Sequence, residues 1–118
     1  MKKFSFPLQL LLDYREKKED RLRKELAHIK KRLEKERKNL AQLQLDSMTN
    51  IRELRKEHRS EKVEIALVLL YYSYLDKLIH QIKKQSEVVT NISREMEKKR
   101  KQLIEARKEK KIIEKLKE

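Results

Sequence analysis

His28, His58 and His80 are the side chains best suited to moving a proton or holding a metal in this chain of 118 residues. They lie far apart in sequence. No cysteine is available to complete a metal site, and no H-E-x-x-H pattern sets two imidazoles on one helical turn. A glycine-rich phosphate loop is excluded outright, because the chain contains no glycine. Asp and Glu number 20, but a carboxylate becomes a general acid where a cleft desolvates it, and the pattern encloses no cleft. Each histidine reads as a surface or seam-edge residue. The chain reads as non-enzymatic, with no catalytic residue, metal, cofactor or small-molecule substrate.

The elements that would position any site are helices. Glycine supplies most of the positive-φ conformations that tight turns need, and it is absent. The one proline is Pro7, and 45% of residues are Asp, Glu, Lys or Arg. The hydrophobic fraction is 37%, against roughly 45–50% in globular domains, enough for a narrow seam but not a broad core. High charge with few apolar residues also describes disordered chains. Here the apolar residues are mostly Leu and Ile at helical spacing, so ordered helix is the expectation: one all-α domain over residues 1–118.

Ser5 is positioned to cap a first turn in which Pro7 is tolerated. Leu22, Leu26, Ile29, Leu33, Glu36, Leu40 and Leu43 then alternate by four and three, the spacing of a coiled-coil seam, and the phase continues through Ser47 and Asn50 to Leu54. A second line runs Val68, Tyr72, Leu75, Ile79, Ile82, Ser86, Val89. Past it the better line is Ile92, Met96, Lys99, Leu103, Ala106, Lys110, Ile113, which implies a phase slip near residues 89–92.

Two stretches can reverse the chain: Asp46 to Asn50, and the polar run Glu57 to Lys62. The second is preferred, with Ser60 capping the outgoing helix and Val63 opening its apolar content. The expected fold is a long two-helix antiparallel coiled-coil hairpin, helix 1 about 6–57, turn about 57–62, helix 2 about 62–118. A strand over Ile65–Tyr72 would have no second strand to pair with.

Between Ile65 and Ile82 only Asp76 and Lys77 carry formal charge. A helix apolar nearly all round cannot be buried by one partner helix. The surplus is expected either to thicken local packing against Ile51 and Leu54 with self-association, or to form a docking patch for another protein. Tyr71, Tyr72, Tyr74, Leu75, Leu78 and Ile79 are the candidates, because tyrosine combines contact area with a water-tolerant hydroxyl.

Formal net charge is +13. Residues 13–39 hold twelve Lys or Arg against seven acids, and residues 94–118 eleven against six, so an antiparallel hairpin collects both at one end. Pairs at i,i+4, such as Asp20 with Lys24, Glu34 with Lys38 and Glu97 with Lys101, make most of this a solvated face. The densest residual field is Lys98, Lys99, Arg100, Lys101, Arg107, Lys108, Lys110 and Lys111, able to steer the chain toward acidic cavities or phosphates. A nucleic-acid-binding rod is the weaker reading, since zinc spacing, a basic fork and interleaved aromatic residues are all missing. The apolar start is cut by Gln9 and stops at Asp13 without a small-residue cleavage site, unlike a signal peptide. The longest apolar run, Ile65 to Tyr72, falls far short of the ≈ 20 residues that span a bilayer. The expected location is the cytoplasm.

Phe4, Phe6, Leu8, Leu11 and Leu12 followed by Asp13, Tyr14, Arg15 and Glu16 form an opening F-x-F-x-L-x-x-L-L-D-Y-R-E. With Tyr71, Tyr72, Leu75 and Leu78, and with Ala106, Arg107, Lys108, Glu114, Lys115, Leu116 and Lys117 near the end, the chain resembles the FliJ family of flagellar export proteins over nearly its whole length. That resemblance implies an antiparallel coiled coil similar to the stalk of rotary ATPases. It also implies insertion into the hexameric flagellar export ATPase, promotion of ring assembly, and contact with the export-gate membrane protein and with export chaperones. Its expected location is the inner face of the cell membrane at the flagellar base. Family members usually extend a few dozen residues further, so a C-terminal portion is expected beyond Glu118. On this basis Arg94–Lys117 and the first arm near Asp13–Lys24 face the ATPase, through Arg15, Arg21, Arg23, Lys24 and the eight cations of the second arm. The tyrosine patch docks a second partner. The alternative is a structural or adaptor coiled coil that self-associates through residues 65–82.

Overall fold

A computed structural model describes the backbone of residues 2–118 and the side chains of residues 7–118. Two helices make up the fold, α1 (Lys2–Arg59) and α2 (Ile65–Lys117), antiparallel and joined by one short turn. No described residue has positive φ, the conformation that glycine adopts most readily, and this chain has no glycine to supply it. Because α1 already begins at Lys2, Ser5 lies inside the helix and not at its N-cap, and Pro7 falls within the helix as well. The side chains of Phe4, Ser5 and Phe6 lie outside the described residues.

Reversal takes place over residues 60–64. The Ser60 amide donates to the Glu57 carbonyl at 3.2 Å, closing the last turn of α1. Ser60 does not cap α2; its hydroxyl donates to the Lys62 carbonyl at 2.9 Å. The capping place belongs to Glu64, whose carbonyl accepts from the Val68 amide at 3.0 Å. The Glu64 amide in turn donates to the Glu57 carboxylate at 3.0 Å, so a side chain from the outgoing end of α1 helps close the loop. Val63 stays outside α2 and exposed.

The chain divides into two compact units. The basic unit pairs Met1–Arg32 with Ile92–Glu118, and the turn unit comprises Leu33–Asn91. In α1 the inward line is Leu8, Leu12, Arg15, Glu19, Leu22, Leu26, Ile29, Leu33, and onward to Leu54, all buried or half-buried. In α2 it is Val68, Tyr71, Leu75, Leu78, Ile82, Gln85, Val89, Ile92, Met96, Lys99, Leu103, Ala106, Lys110 and Ile113. Alternation of three and four is unbroken from Val68 to Ile113, so there is no phase slip at 89–92. The inferred break came from assigning Tyr72, Ile79 and Ser86 to the seam. Tyr72 and Ile79 are 50% and 54% exposed. Their neighbours Tyr71 and Leu78 take the inward places.

Candidate functional site

Two amide side chains in the seam of the turn unit find partners across it. In the turn unit, Gln85 Nε2 donates to the Glu36 carbonyl at 3.0 Å and to its carboxylate at 2.5 Å. Asn50, 5% exposed, donates Nδ2–H to the Tyr71 carbonyl at 2.9 Å. These bonds satisfy groups that would otherwise be desolvated without compensation.

The basic unit makes its crossings with charge. Glu19 accepts Lys110 Nζ at 3.2 Å and Arg107 Nε at 3.3 Å. Burial pushes the Glu19 carboxyl up, but hydrogen bonds and charge from Lys110 and Arg107 outweigh it and hold the group below its ordinary value. The same bond raises the Lys110 ammonium. Lys99 Nζ donates to Glu25 at 2.7 Å and holds that carboxyl low. Arg15 bonds to Glu109, and Arg32 reaches Glu95 at 3.3 Å. Between them Leu22, Leu26, Leu103 and Ala106 form the apolar core, with Met96 packed against it.

This pairing sorts the expected basic end into three groups. Arg15, Lys99, Arg107 and Lys110 tie α1 to α2. Arg21, Arg23 and Arg100 pair within their own helices, with Glu25, Asp20 and Glu97. Asp20 and Glu97 therefore pair at i,i+3 with arginine and not with Lys24 and Lys101, and no ion pair joins Glu34 to Lys38 among the described residues. Lys24, Lys98, Lys101, Lys108 and Lys111 are exposed and take part in no ion pair among the described residues. Away from the seam, cations recur every seven residues, at Lys17, Lys24 and Lys31 on α1 and at Arg94, Lys101, Lys108 and Lys115 on α2. All seven are exposed.

The proposed docking patch splits in the same way. Leu78 is 1% exposed and the most deeply buried large side chain described. It belongs to the seam, as do half-buried Tyr71 and Leu75. Tyr72, Tyr74 and Ile79 remain exposed. The sequence-chosen patch leaves out the most exposed apolar residues nearby, Ile65 at 73%, Leu70 at 65% and Leu69 at 62%. It also omitted Leu45 and Met48 on α1, whose positions away from the seam were the available signal. Leu70, Tyr71 and Tyr74 line a groove of ≈ 560 Å³ with Asp46, Thr49, Asn50 and Glu53. The His58 ring meets Tyr72 edge-on, centroids 6.4 Å apart. His80 donates Nδ1–H to the Asp76 carbonyl at 2.8 Å. All three histidines are exposed. No cluster of His, Cys, Asp and Glu among the described residues could hold a metal ion.

The family model described as flagellar FliJ protein matches residues 4–118. This chain belongs to the FliJ family. No curated protein and no solved structure matches it. FliJ-family proteins are non-enzymatic, and family and hairpin together assign this member a non-catalytic structural or adaptor role. No helix among the described residues is long and apolar enough to cross a membrane.

The opening F-x-F-x-L-x-x-L-L-D-Y-R-E and the A-R-K near the end have distinct physical roles here. In the opening motif, Leu12 is buried, Leu11 and Tyr14 are exposed, and Arg15 reaches Glu109 on α2. In the A-R-K motif, Ala106 is buried in the core, Arg107 is held by Glu19, and Lys108 faces solvent.

Proposed function

We propose that this FliJ-family hairpin is a central-stalk-like component of the flagellar type III export apparatus. Its basic unit binds the hexameric export ATPase and promotes ring assembly, while its turn unit contacts the export-gate protein and export chaperones. It works in the cytoplasm, associated peripherally with the inner face of the membrane at the flagellar base. The observation that carries this reading is the set of exposed, unpaired cations Lys24, Lys98, Lys101, Lys108 and Lys111, gathered in one unit of a chain matching the family over residues 4–118. Such charge accelerates encounter with an acidic protein surface. Tyr72, Tyr74 and Ile79 supply the apolar docking face.

The test uses the purified cognate export ATPase. Added hairpin is expected to raise ATP hydrolysis and the fraction of assembled rings, and Lys98→Glu with Lys101→Glu, Lys108→Glu and Lys111→Glu to abolish both effects. Absence of stimulation by the unaltered protein rejects the reading. A second reading, self-association through residues 65–82, is favoured by the exposure of Ile65, Leu69 and Leu70. It predicts a dimer that grows with concentration in sedimentation equilibrium and is lost in Leu69→Ser with Leu70→Ser.

A further inference from the structure

The two long sides of the basic unit differ. On one side, a groove of ≈ 390 Å³ has a floor of Leu26, Ala27, Leu103 and Ile104. Its rim is cationic throughout: Arg23 and Lys30 from α1, Arg100 and Arg107 from α2. The other side carries a second groove whose lining mixes Lys18, Arg21 and Lys99 with Glu25 and Glu105. There Lys99 and Glu25 already neutralise each other at 2.7 Å.

We infer that the first groove docks an amphipathic α-helix of a partner protein, one with carboxylates flanking its apolar stripe on both sides. The channel between two paired helices is the natural seat for a third, and apolar residues along one face of the incoming helix would cover Leu103 and Ile104. Ala27 contributes only a methyl group and leaves that part of the groove deep, so that helix can approach closely. The rim then selects for acid. Arg23, Arg100 and Arg107 each hold one carboxylate already, Asp20, Glu97 and Glu19 respectively. A guanidinium has five N–H donors, so each retains capacity for a second acceptor. Lys30 has no ion-pair partner among the described residues. A nucleic acid fits less well, because the floor is aliphatic and offers no ring on which a base could stack. This inference rests on the reading that the basic unit faces a protein partner, and it specifies the kind of segment recognised.

The probe is a fluorescein-labelled synthetic helix of about five turns, with Leu at i, i+3, i+4 and i+7 and Glu on both flanks, titrated with the full chain by anisotropy. Saturable binding is expected. Lys30→Glu with Arg100→Glu should weaken it by at least about tenfold, while Arg21→Glu in the opposite groove should leave it unchanged. Circular dichroism checks that helix content is retained; if it falls, Lys30→Ala with Arg100→Ala replaces the pair and must still weaken binding. Three results overturn the inference: no binding, equal binding of a Leu→Ser version of the probe, or equal loss with Arg21→Glu. Displacement of the probe by a random DNA duplex at equal concentration would also overturn it, assigning the groove to phosphate. Stimulation of the ATPase without probe binding defeats this inference alone. Probe binding without stimulation defeats only the ATPase reading.

Discussion

In the basic unit the helices are joined by ion pairs, Glu19 to Lys110 and Arg107, Glu25 to Lys99, and Arg15 to Glu109. In the turn unit the same seam is crossed by the amides of Gln85 and Asn50. Their surfaces diverge further. The basic unit has 22 Lys and Arg against 11 acids, whereas the turn unit has 11 against 9 and exposes Leu69, Leu70, Tyr72 and Tyr74. One heptad repeat thus supports two kinds of surface, because the seam fixes only two positions in seven. Recognition by the basic unit should weaken with salt, and recognition by the turn unit should change little.

The largest test of this contrast lies within the turn unit. Leu78→Ala removes a fully buried side chain and is expected to cost about 2–4 kcal/mol in urea unfolding. Leu69→Ser should stay within about 0.5 kcal/mol. Equal costs would mean that Leu69 is covered in solution, by a second chain. Next comes Asn50→Leu, expected to raise stability by about 1 kcal/mol, since a polar seam residue trades stability for specificity. A fall in the unfolding midpoint would show that its bond to the Tyr71 carbonyl outweighs apolar burial.

The smallest effect probes the ionic seam. Glu19→Gln should lower stability at neutral pH by roughly 0.5–1 kcal/mol, reduced by solvent screening. The native Glu19 carboxyl lies below its ordinary 4.5. Its contribution is therefore complete above that value and lost as pH falls through the lower native one. The stability curves of parent and variant should converge in acid. Parallel curves would remove Glu19 from the pairing.

Two antiparallel helices were legible in the sequence because a chain without glycine has few places to turn, and because Leu22 to Leu54 mark a clear seam. Phase in α2 was not. Tyr71 with Tyr72, and Leu78 with Ile79, put apolar residues at both competing positions, so periodicity could not choose between them. The choice involves the opposite helix, where Asn50 reaches the Tyr71 carbonyl. Ser60 misled for a similar reason: a local rule makes it a cap, while a carboxylate seven residues away holds the Glu64 amide. The docking patch was legible as a surplus of apolar residues, but separating Leu78 from Tyr72 required the true phase. The ion pairs of Glu19 and Glu25 depend on register between helices, which spacing along one helix does not encode.

The seam couples carry a mechanical consequence. A uniform heptad zipper can slide by one repeat and still meet leucine with leucine. Here such a displacement would set the Glu36 carboxylate opposite Leu78 or Ile92 in place of Gln85, and Lys110 opposite Leu12 or Leu26 in place of Glu19, at up to about 1 kcal/mol for each stranded group. Axial force applied to one helix is therefore handed to its mate and not dissipated as shear between them.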